Sequence, residues 1–132
     1  MTGGRSGSGP GALARTLGIR RVSMGGGRAR FALTVREDHM NPNGVAHGGV
    51  IYSLADTAIG AALFSALERG QSCTTLEIKI NYLAPVTSGE LAAQASVVAR
   101  TRRTGFLEAR VLADGGALVA VATGTFYIQS AR

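Results

Sequence analysis

The stretch that most constrains the fold is residues 47–68, HGGVIYSLADTAIGAALFSALE, which is almost free of charge. Tyr52 and Asp56 are the only ionisable side chains between residues 50 and 66. A helix that is apolar on nearly all sides is a buried helix. The pattern therefore predicts one long central helix that ends near Arg69. At about 31 Å, the run is too short and too rich in small residues for a membrane span.

The segments on either side of this helix predict a sheet that wraps it. Strand-like alternation and intervening turn residues predict a leading helix over residues 10–17 and six strands, over residues 19–24, 28–35, 73–82, 90–101, 106–113 and 117–128. Short turns between consecutive strands imply antiparallel pairing. We therefore expect an α+β fold: one long central helix wrapped by a curved antiparallel sheet, with a short N-terminal helix. Residues 10–132 form a single domain in this interpretation, and residues 1–9 a disordered Gly- and Ser-rich tail.

Charge and cysteine content limit the partners and the compartment. The net charge of +6 comes mostly from Arg and suits an anionic partner. An aromatic content of 5% is too low for a nucleic-acid stacking platform, so we expect no nucleic acid partner. The single Cys73 is interpreted as a buried structural thiol in a reducing cytoplasm. The N-terminal residues contain no apolar segment typical of a secretory signal, and we expect no membrane partner.

Three features near the start of the central helix suit acyl chemistry. Gly48 and Gly49 place unpaired backbone N–H groups at the positive end of the helix dipole, where a developing oxyanion can be held. Asp56 is a carboxylate on an otherwise apolar helix face, and Asn41 precedes the helix in a turn-rich loop. Each feature also has a structural interpretation: a tight turn for the glycines, a salt-bridged or hydrogen-bonded core carboxylate for Asp56, a turn residue for Asn41.

The spacing of these residues predicts a site shared between two chains. Gly48 and Asp56 are eight residues apart, or about 12 Å along one helix. An oxyanion donor and a base or nucleophile must both lie within roughly 3 Å of one reacting group. Two antiparallel helices across a twofold axis would bring the Gly48 of one chain to the Asp56 of the other. If these residues are catalytic, the protein is at least a dimer.

The segments HMNPNGVAHGGVIYSLADTA and TTLEIKINYLAP resemble the hotdog-fold acyl-CoA thioesterases, in particular the phenylacetic-acid-degradation (PaaI-type) subgroup. The resemblance covers residues 28–132 and rests on N-x-x-G-x-x-H-G-G with an Asp nine residues after the His. It implies hydrolysis of an acyl-CoA, with an aryl or aryl-acetyl group as the subgroup expectation. Dimers that pair into tetramers, with sheets usually joined edge to edge, are also implied.

By the same resemblance, individual residues receive roles. Asp56 would be the nucleophile or general base, and the Gly48 amide would polarise the thioester carbonyl. Asn41 and His47 would orient the substrate or the attacking water. Thr75 falls where some members carry a Ser or Thr that positions water. Strand alternation, however, places Thr75 on one face with Glu77, Lys79 and Asn81, and Thr74, Leu76, Ile78, Ile80 and Tyr82 on the other.

The resemblance also suggests a use for the excess of arginine, because coenzyme A carries three phosphates. Arg100, Arg102 and Arg103 cluster at one predicted turn and are candidates for phosphate contact, a solvated basic turn being the alternative. The sequence contains no Cys/His metal spacing, no phosphate-binding P-loop and no G-x-S-x-G motif. We therefore expect no metal and no cofactor beyond the CoA that belongs to the substrate.

Two other functions compete with thioester hydrolysis. A hotdog enoyl-CoA hydratase would have a similar fold, but that group places an Asp before a His on the helix, whereas His47 here precedes Asp56. A non-catalytic acyl-CoA binding or sensing protein would not need Asp56 and Asn41, and no separate DNA-binding domain is evident. Tyr52, Ile59 and Leu63 are candidates for lining an acyl pocket, with core packing as the alternative.

Overall fold

The computed structural model describes residues 9–130 and contains two α-helices and six strands. Most of the predicted disordered tail, residues 1–8, lies outside the described residues. The elements are α1 (Ala12–Leu17), β1 (Arg20–Gly25), β2 (Arg28–Thr34), α2 (Gly48–Phe64), β3 (Ser72–Tyr82), β4 (Glu90–Arg100), β5 (Thr104–Ala113) and β6 (Leu118–Gln129). Every predicted helix and strand is present, with ends within a few residues of the predicted positions.

The six strands form one antiparallel sheet in the order β1-β2-β4-β5-β6-β3. Tight turns join β1 to β2, β4 to β5 and β5 to β6, which explains their neighbouring positions. The chain leaves the sheet after β2, forms α2 across the inner face and returns as β3 at the far edge. This is the predicted α+β hotdog fold, with a long helix wrapped by a curved sheet.

The core lies between α2 and the inner face of the sheet. Leu54, Ala58, Ile59 and Leu63 on α2 are completely buried, against inward residues such as Leu91 and Leu107 of the sheet. Burial of each Leu or Ile side chain contributes about 1.5–3 kcal/mol. Ile59 and Leu63 therefore belong to the packed core. This is the alternative that the sequence analysis gave to their lining an acyl pocket.

The central helix differs from the prediction in two ways. A stripe of α2 that includes Tyr52, Asp56 and Gly60 remains half-exposed, so one chain does not cover the whole circumference. The helix also ends at Phe64 rather than near Arg69. Ser65 follows it and donates its hydroxyl to the Ala62 carbonyl, a contact that competes with helix continuation.

Within residues 9–130, no helix is long and apolar enough to cross a membrane. The central helix has 17 residues, fewer than the roughly 20 that a hydrocarbon core requires.

Candidate active site

The loop before α2 is shaped by Asn41. Its side-chain Oδ1 accepts hydrogen bonds from the Asn43 N–H at 2.8 Å and the Val45 N–H at 3.3 Å. Its backbone N–H donates to the Val45 carbonyl at 2.8 Å. The Asn41 side-chain oxygen is thus hydrogen-bonded within its own loop, which fits the interpretation of Asn41 as a turn residue. Its side-chain NH₂ makes no hydrogen bond to residues 9–130 and is the part of Asn41 that can meet a substrate.

Within the part of the chain that the structure describes, the first turn of α2 has one backbone donor without an acceptor. The Gly49 N–H donates to His47 Nδ1 at 2.7 Å, and the Val50 N–H donates to the His47 carbonyl at 2.9 Å. The Gly48 N–H has no acceptor among the residues that the structure describes. The expectation of a free donor is therefore correct for Gly48 and wrong for Gly49, because the His47 side chain caps the helix there. With Nδ1 accepting, a neutral His47 ring carries its proton on Nε2.

Tyr82 lies directly against Gly48 and was not predicted to belong to the site. Its hydroxyl donates to the Gly48 carbonyl at 2.7 Å. A Cβ atom on residue 48 would lie 3.2 Å from the Tyr82 ring, so a glycine is favoured at this position. Burial, with a smaller effect of Tyr52, raises the pKa of Tyr82, which keeps its hydroxyl protonated as a donor. Sequence patterns could not find this contact because 34 residues separate the partners.

An open apolar groove of about 310 Å³ begins at Gly48. Its walls come from the end of the preceding loop, from α2 and from the segment after β3. The lining residues are Val45, Ala46, Gly48, Ile51, Tyr82, Leu83, Ala84, Pro85 and Val86. The groove therefore offers an apolar surface beside the donor end of the helix.

Asp56 lies on the half-exposed stripe of α2 and makes no ion pair within residues 9–130. Its Oδ1 accepts a hydrogen bond from the Thr75 hydroxyl at 3.0 Å. Burial raises the pKa of the Asp56 carboxyl above its usual value, and the Thr75 hydrogen bond partly offsets that rise. The salt-bridged alternative for Asp56 is thus wrong for residues 9–130, whereas the hydrogen-bonded alternative fits the contact with Thr75.

The position of Thr75 corrects the predicted strand faces. The pairing of β3 with β6 shifts by one residue between Thr75 and Glu77, which indicates a β-bulge at Leu76. The extra residue reverses the alternation, so Thr75 faces the helix with Ile78, and Leu76 is 60% exposed. Strict alternation gave the wrong face for Thr75 because it assumes an unbroken ladder.

The structure does not bring all the predicted site residues together in one chain. Asp56 lies two turns beyond Gly48 on α2, or about 12 Å along the axis. Arg100 donates to the Ala66 carbonyl at 3.1 Å, beyond the opposite end of α2 from Gly48. Arg102 and Arg103 are exposed in the turn between β4 and β5. The described residues contain no group of three or more His, Cys, Asp or Glu side chains arranged to hold a metal ion.

Cys73 lies near Asp56 on the inward face of β3 and is half-buried. Its thiol contacts the Gly60 carbonyl at 3.8 Å. Burial, with a smaller effect of the Asp56 charge, raises the pKa of Cys73 to about 11. A thiol with this pKa is almost entirely protonated at neutral pH, so it is a poor nucleophile.

Iodoacetamide should therefore alkylate native Cys73 roughly 10²-fold more slowly at pH 8 than it alkylates the urea-unfolded chain, whose thiol pKa is near 8.5. The native rate should rise steeply between pH 9 and pH 11. Mass spectrometry of timed samples measures both rates on the same residue. Equal rates for the native and unfolded chains at pH 8 would contradict the assignment of an inert thiol.

Comparison with known proteins identifies the family. Residues 43–120 match the family described as the thioesterase superfamily. The chain is 32% identical over 114 residues to the acyl-coenzyme A thioesterase PaaI of Escherichia coli K12, covering 86% of this chain and 79% of that protein. It is 29% identical over 120 residues to the 1,4-dihydroxy-2-naphthoyl-CoA hydrolase of Listeria monocytogenes, covering 91% of this chain and 98% of that protein.

A solved structure supports the same assignment. The chain superimposes on a thioesterase from Haemophilus influenzae with a TM-score of 0.86 and 28% identity, covering 90% of this chain and 83% of that one. The family match includes Gly48, Asp56 and Thr75. The chain therefore belongs to the thioesterase superfamily of hotdog-fold proteins and is a thioester hydrolase.

Proposed function

We propose that this protein hydrolyses an aryl or aryl-acetyl CoA thioester to the free acid and CoA, at composite sites shared by two copies of the chain. The observation that carries the proposal is the Gly48 N–H, which has no acceptor among residues 9–130 and lies beside an apolar groove, with the Asp56 carboxylate, which makes no ion pair to those residues, on the same helix. The aryl preference is supported by similarity to PaaI, a protein from the phenylacetic acid degradation operon, and to a naphthoyl-CoA hydrolase. Cytoplasmic localisation and the absence of a cofactor other than substrate CoA are parts of the same proposal.

A dimer is supported by surfaces that one chain leaves uncovered. The half-exposed stripe of α2 includes Tyr52, Asp56 and the small residue Gly60. Strand β3 is an edge of the sheet and has a free ladder side. A twofold pairing of β3 edges would set two α2 helices antiparallel, with the Gly48 of one near the Asp56 of the other. Two such dimers would form the tetramer that the PaaI resemblance implies.

In the proposed reaction, the Gly48 N–H and the helix dipole stabilise negative charge on the thioester oxygen. Asp56 of the other chain acts on the carbonyl carbon in one of two ways. As a general base it takes a proton from water, whose oxygen then forms the new C–O bond. As a nucleophile it forms an anhydride, which water then hydrolyses. In both routes the C–S bond breaks and the CoA thiolate leaves and takes up a proton.

The other predicted residues have supporting roles in this proposal. The Thr75 hydroxyl holds Asp56, and the Asn41 NH₂ and the His47 Nε2–H orient the substrate or water. Arg102 and Arg103 are exposed and available for CoA phosphates. Arg100 is already bonded to Ala66, so it would contact a phosphate only through its remaining N–H groups.

Release of free CoA thiol from a panel of aromatic, short aliphatic and long-chain CoA thioesters tests the proposed substrate class. We expect the highest kcat/KM with the aryl or aryl-acetyl members. A higher kcat/KM for long-chain thioesters would contradict the aryl preference. Saturable binding without turnover of any thioester would instead favour the acyl-CoA binding alternative, and hydration of an enoyl-CoA would favour the hydratase alternative.

The pH dependence of kcat/KM should report the raised pKa of Asp56. Because the ionised carboxylate is the active form, activity should fall on the acid side at a pH above the ordinary Asp pKa of about 3.9. Thr75→Val removes the hydrogen bond that lowers this pKa, so the acid limb should move to still higher pH. Thr74→Val, on the exposed side of β3, is the matched control and should leave the limb unchanged. A limb that stays in place in Thr75→Val would contradict the assignment to Asp56.

A further inference from the structure

His39 is the one buried polar side chain among residues 9–130, with 1% of its surface exposed. Its Nδ1 accepts the Arg36 backbone N–H at 3.0 Å, and its Nε2 lies 2.9 Å from the Leu17 carbonyl. Since Nδ1 accepts, the proton is on Nε2, which donates to Leu17. Both ring nitrogens are therefore satisfied inside the protein, and the mechanism proposed above does not use this ring.

The His39 ring and the Arg36 side chain together join the segment before α2 to the C-terminal end of helix α1. While His39 binds the Leu17 carbonyl, the Arg36 guanidinium donates to the adjacent Thr16 carbonyl at 2.9 Å. Gly18 ends α1 at a positive φ of 80°, and a Cβ there would lie 2.6 Å from the Arg36 side chain. The last carbonyls of α1 are thus held by side chains of the loop that leads to α2.

The backbone of His39 is bonded directly to the start of α2. The His47 N–H donates to the His39 carbonyl at 2.8 Å, and Met40 pairs with Ala46 just inside this bond. Residues 39–47 therefore form a loop whose two ends are joined. The next backbone N–H after that of His47 is the free donor of Gly48, so the joined ends set the direction in which this donor points.

We propose that His39 is a positioning residue for the Gly48 donor. Its ring binds the joined ends of the 39–47 loop to α1 and so fixes the direction in which the Gly48 N–H points. The inference rests on the proposed function, in which this N–H meets the thioester oxygen. An apolar ring replacement would leave the Arg36 N–H and the Leu17 carbonyl without partners, and the loop would move to satisfy them. A displacement of about 1 Å at a catalytic group can cost 10²-fold in rate.

Three substitutions separate the two ring contacts. His39→Asn keeps an acceptor for the Arg36 N–H, His39→Gln keeps a donor for the Leu17 carbonyl, and His39→Leu removes both. Leu107→Ala, a truncation of a fully buried side chain on β5, controls for loss of stability alone. Assays are run at temperatures where circular dichroism shows each variant to be folded. If His39→Leu does not fold, the proposal is tested with His39→Asn and His39→Gln.

The first measurement is steady-state hydrolysis of the best CoA thioester. We expect kcat to fall roughly 10²-fold in His39→Leu and about 10-fold in the Asn and Gln variants, with KM within about twofold of the wild type. Leu107→Ala should retain the wild-type kcat. An unchanged kcat in the folded His39 variants, or an equal loss in Leu107→Ala, would overturn the proposal.

The second measurement reports directly on whether the Gly48 N–H points at the thioester carbonyl. In an Asp56→Asn background the thioester is cleaved slowly enough for its bound form to be observed, and the infrared stretch of its ¹³C-labelled carbonyl should shift to lower frequency on binding. His39→Leu should remove at least half of that shift, and an unchanged shift would overturn the proposal. The absence of any shift in the parent, or of turnover in the wild type, would instead show that the proposed function has failed, and this inference with it.

Discussion

Asp56→Asn is expected to lower kcat by at least about 10²–10⁴-fold, the usual contribution of a general base, while acyl-CoA binding stays close to wild type. An Asn has the same shape and can still accept the hydrogen bond from Thr75, but it cannot take up a proton or form an anhydride. The measurement is release of CoA thiol by the wild type and the variant side by side, with binding of the uncleaved thioester measured by calorimetry. A near-native kcat in the variant would remove Asp56 from the mechanism.

The pH dependence of stability provides an independent check on the burial of Asp56. Burial raises the pKa of Asp56 in the folded chain, so the proton-bound form is favoured by folding. This contribution is fully present below the unfolded pKa of about 3.9 and is lost as the pH rises through the folded pKa. The stability of the wild type relative to Asp56→Asn should therefore decline across that interval. Urea unfolding from acid to neutral pH measures this difference, and a change of the opposite sign would contradict the assigned burial.

The second large effect is expected at Gly48. Gly48→Pro removes the N–H that has no acceptor among residues 9–130, at the first position of α2, where proline is well tolerated. Loss of one oxyanion donor typically lowers kcat by about 10²–10³-fold. Gly48→Ala is the matched control, because it introduces the same Cβ contact with Tyr82 at 3.2 Å and keeps the N–H. Alanine should therefore cost much less activity than proline, and equal losses would assign the effect to the contact rather than to the donor.

Mixing the two inactive chains tests whether the site is shared. In a heterodimer of Asp56→Asn and Gly48→Pro chains, one composite site has both defects and the other has neither. Co-expression with two different affinity tags isolates this heterodimer, which should recover about half of the wild-type activity per dimer. A purified heterodimer without activity would contradict the two-chain site, because a site within one chain cannot be restored by a partner.

Most of the fold could be predicted because its signals are local. The alternation in β2, the Gly-rich turns and the uncharged run of α2 each depend on side chains a few residues apart. The boundary at Phe64 was harder to predict because it depends on the Ser65 hydroxyl, which binds back to the helix and also accepts the Gly27 N–H from 38 residues away. The burial of α2 was overestimated because the sequence does not reveal which part of the helix surface one chain can cover.

For the site, the sequence by itself determined the chemical groups: a carboxylate at Asp56, a glycine at 48 and the spacing that keeps them about 12 Å apart. Tertiary structure decided their surroundings. The bulge at Leu76 turns Thr75 toward Asp56, and the His47 side chain occupies the Gly49 donor while that of Gly48 stays free. Such contacts depend on strand register and cap geometry. A shift of one residue turns a strand side chain to the opposite face of the sheet, and no local sequence pattern encodes that shift.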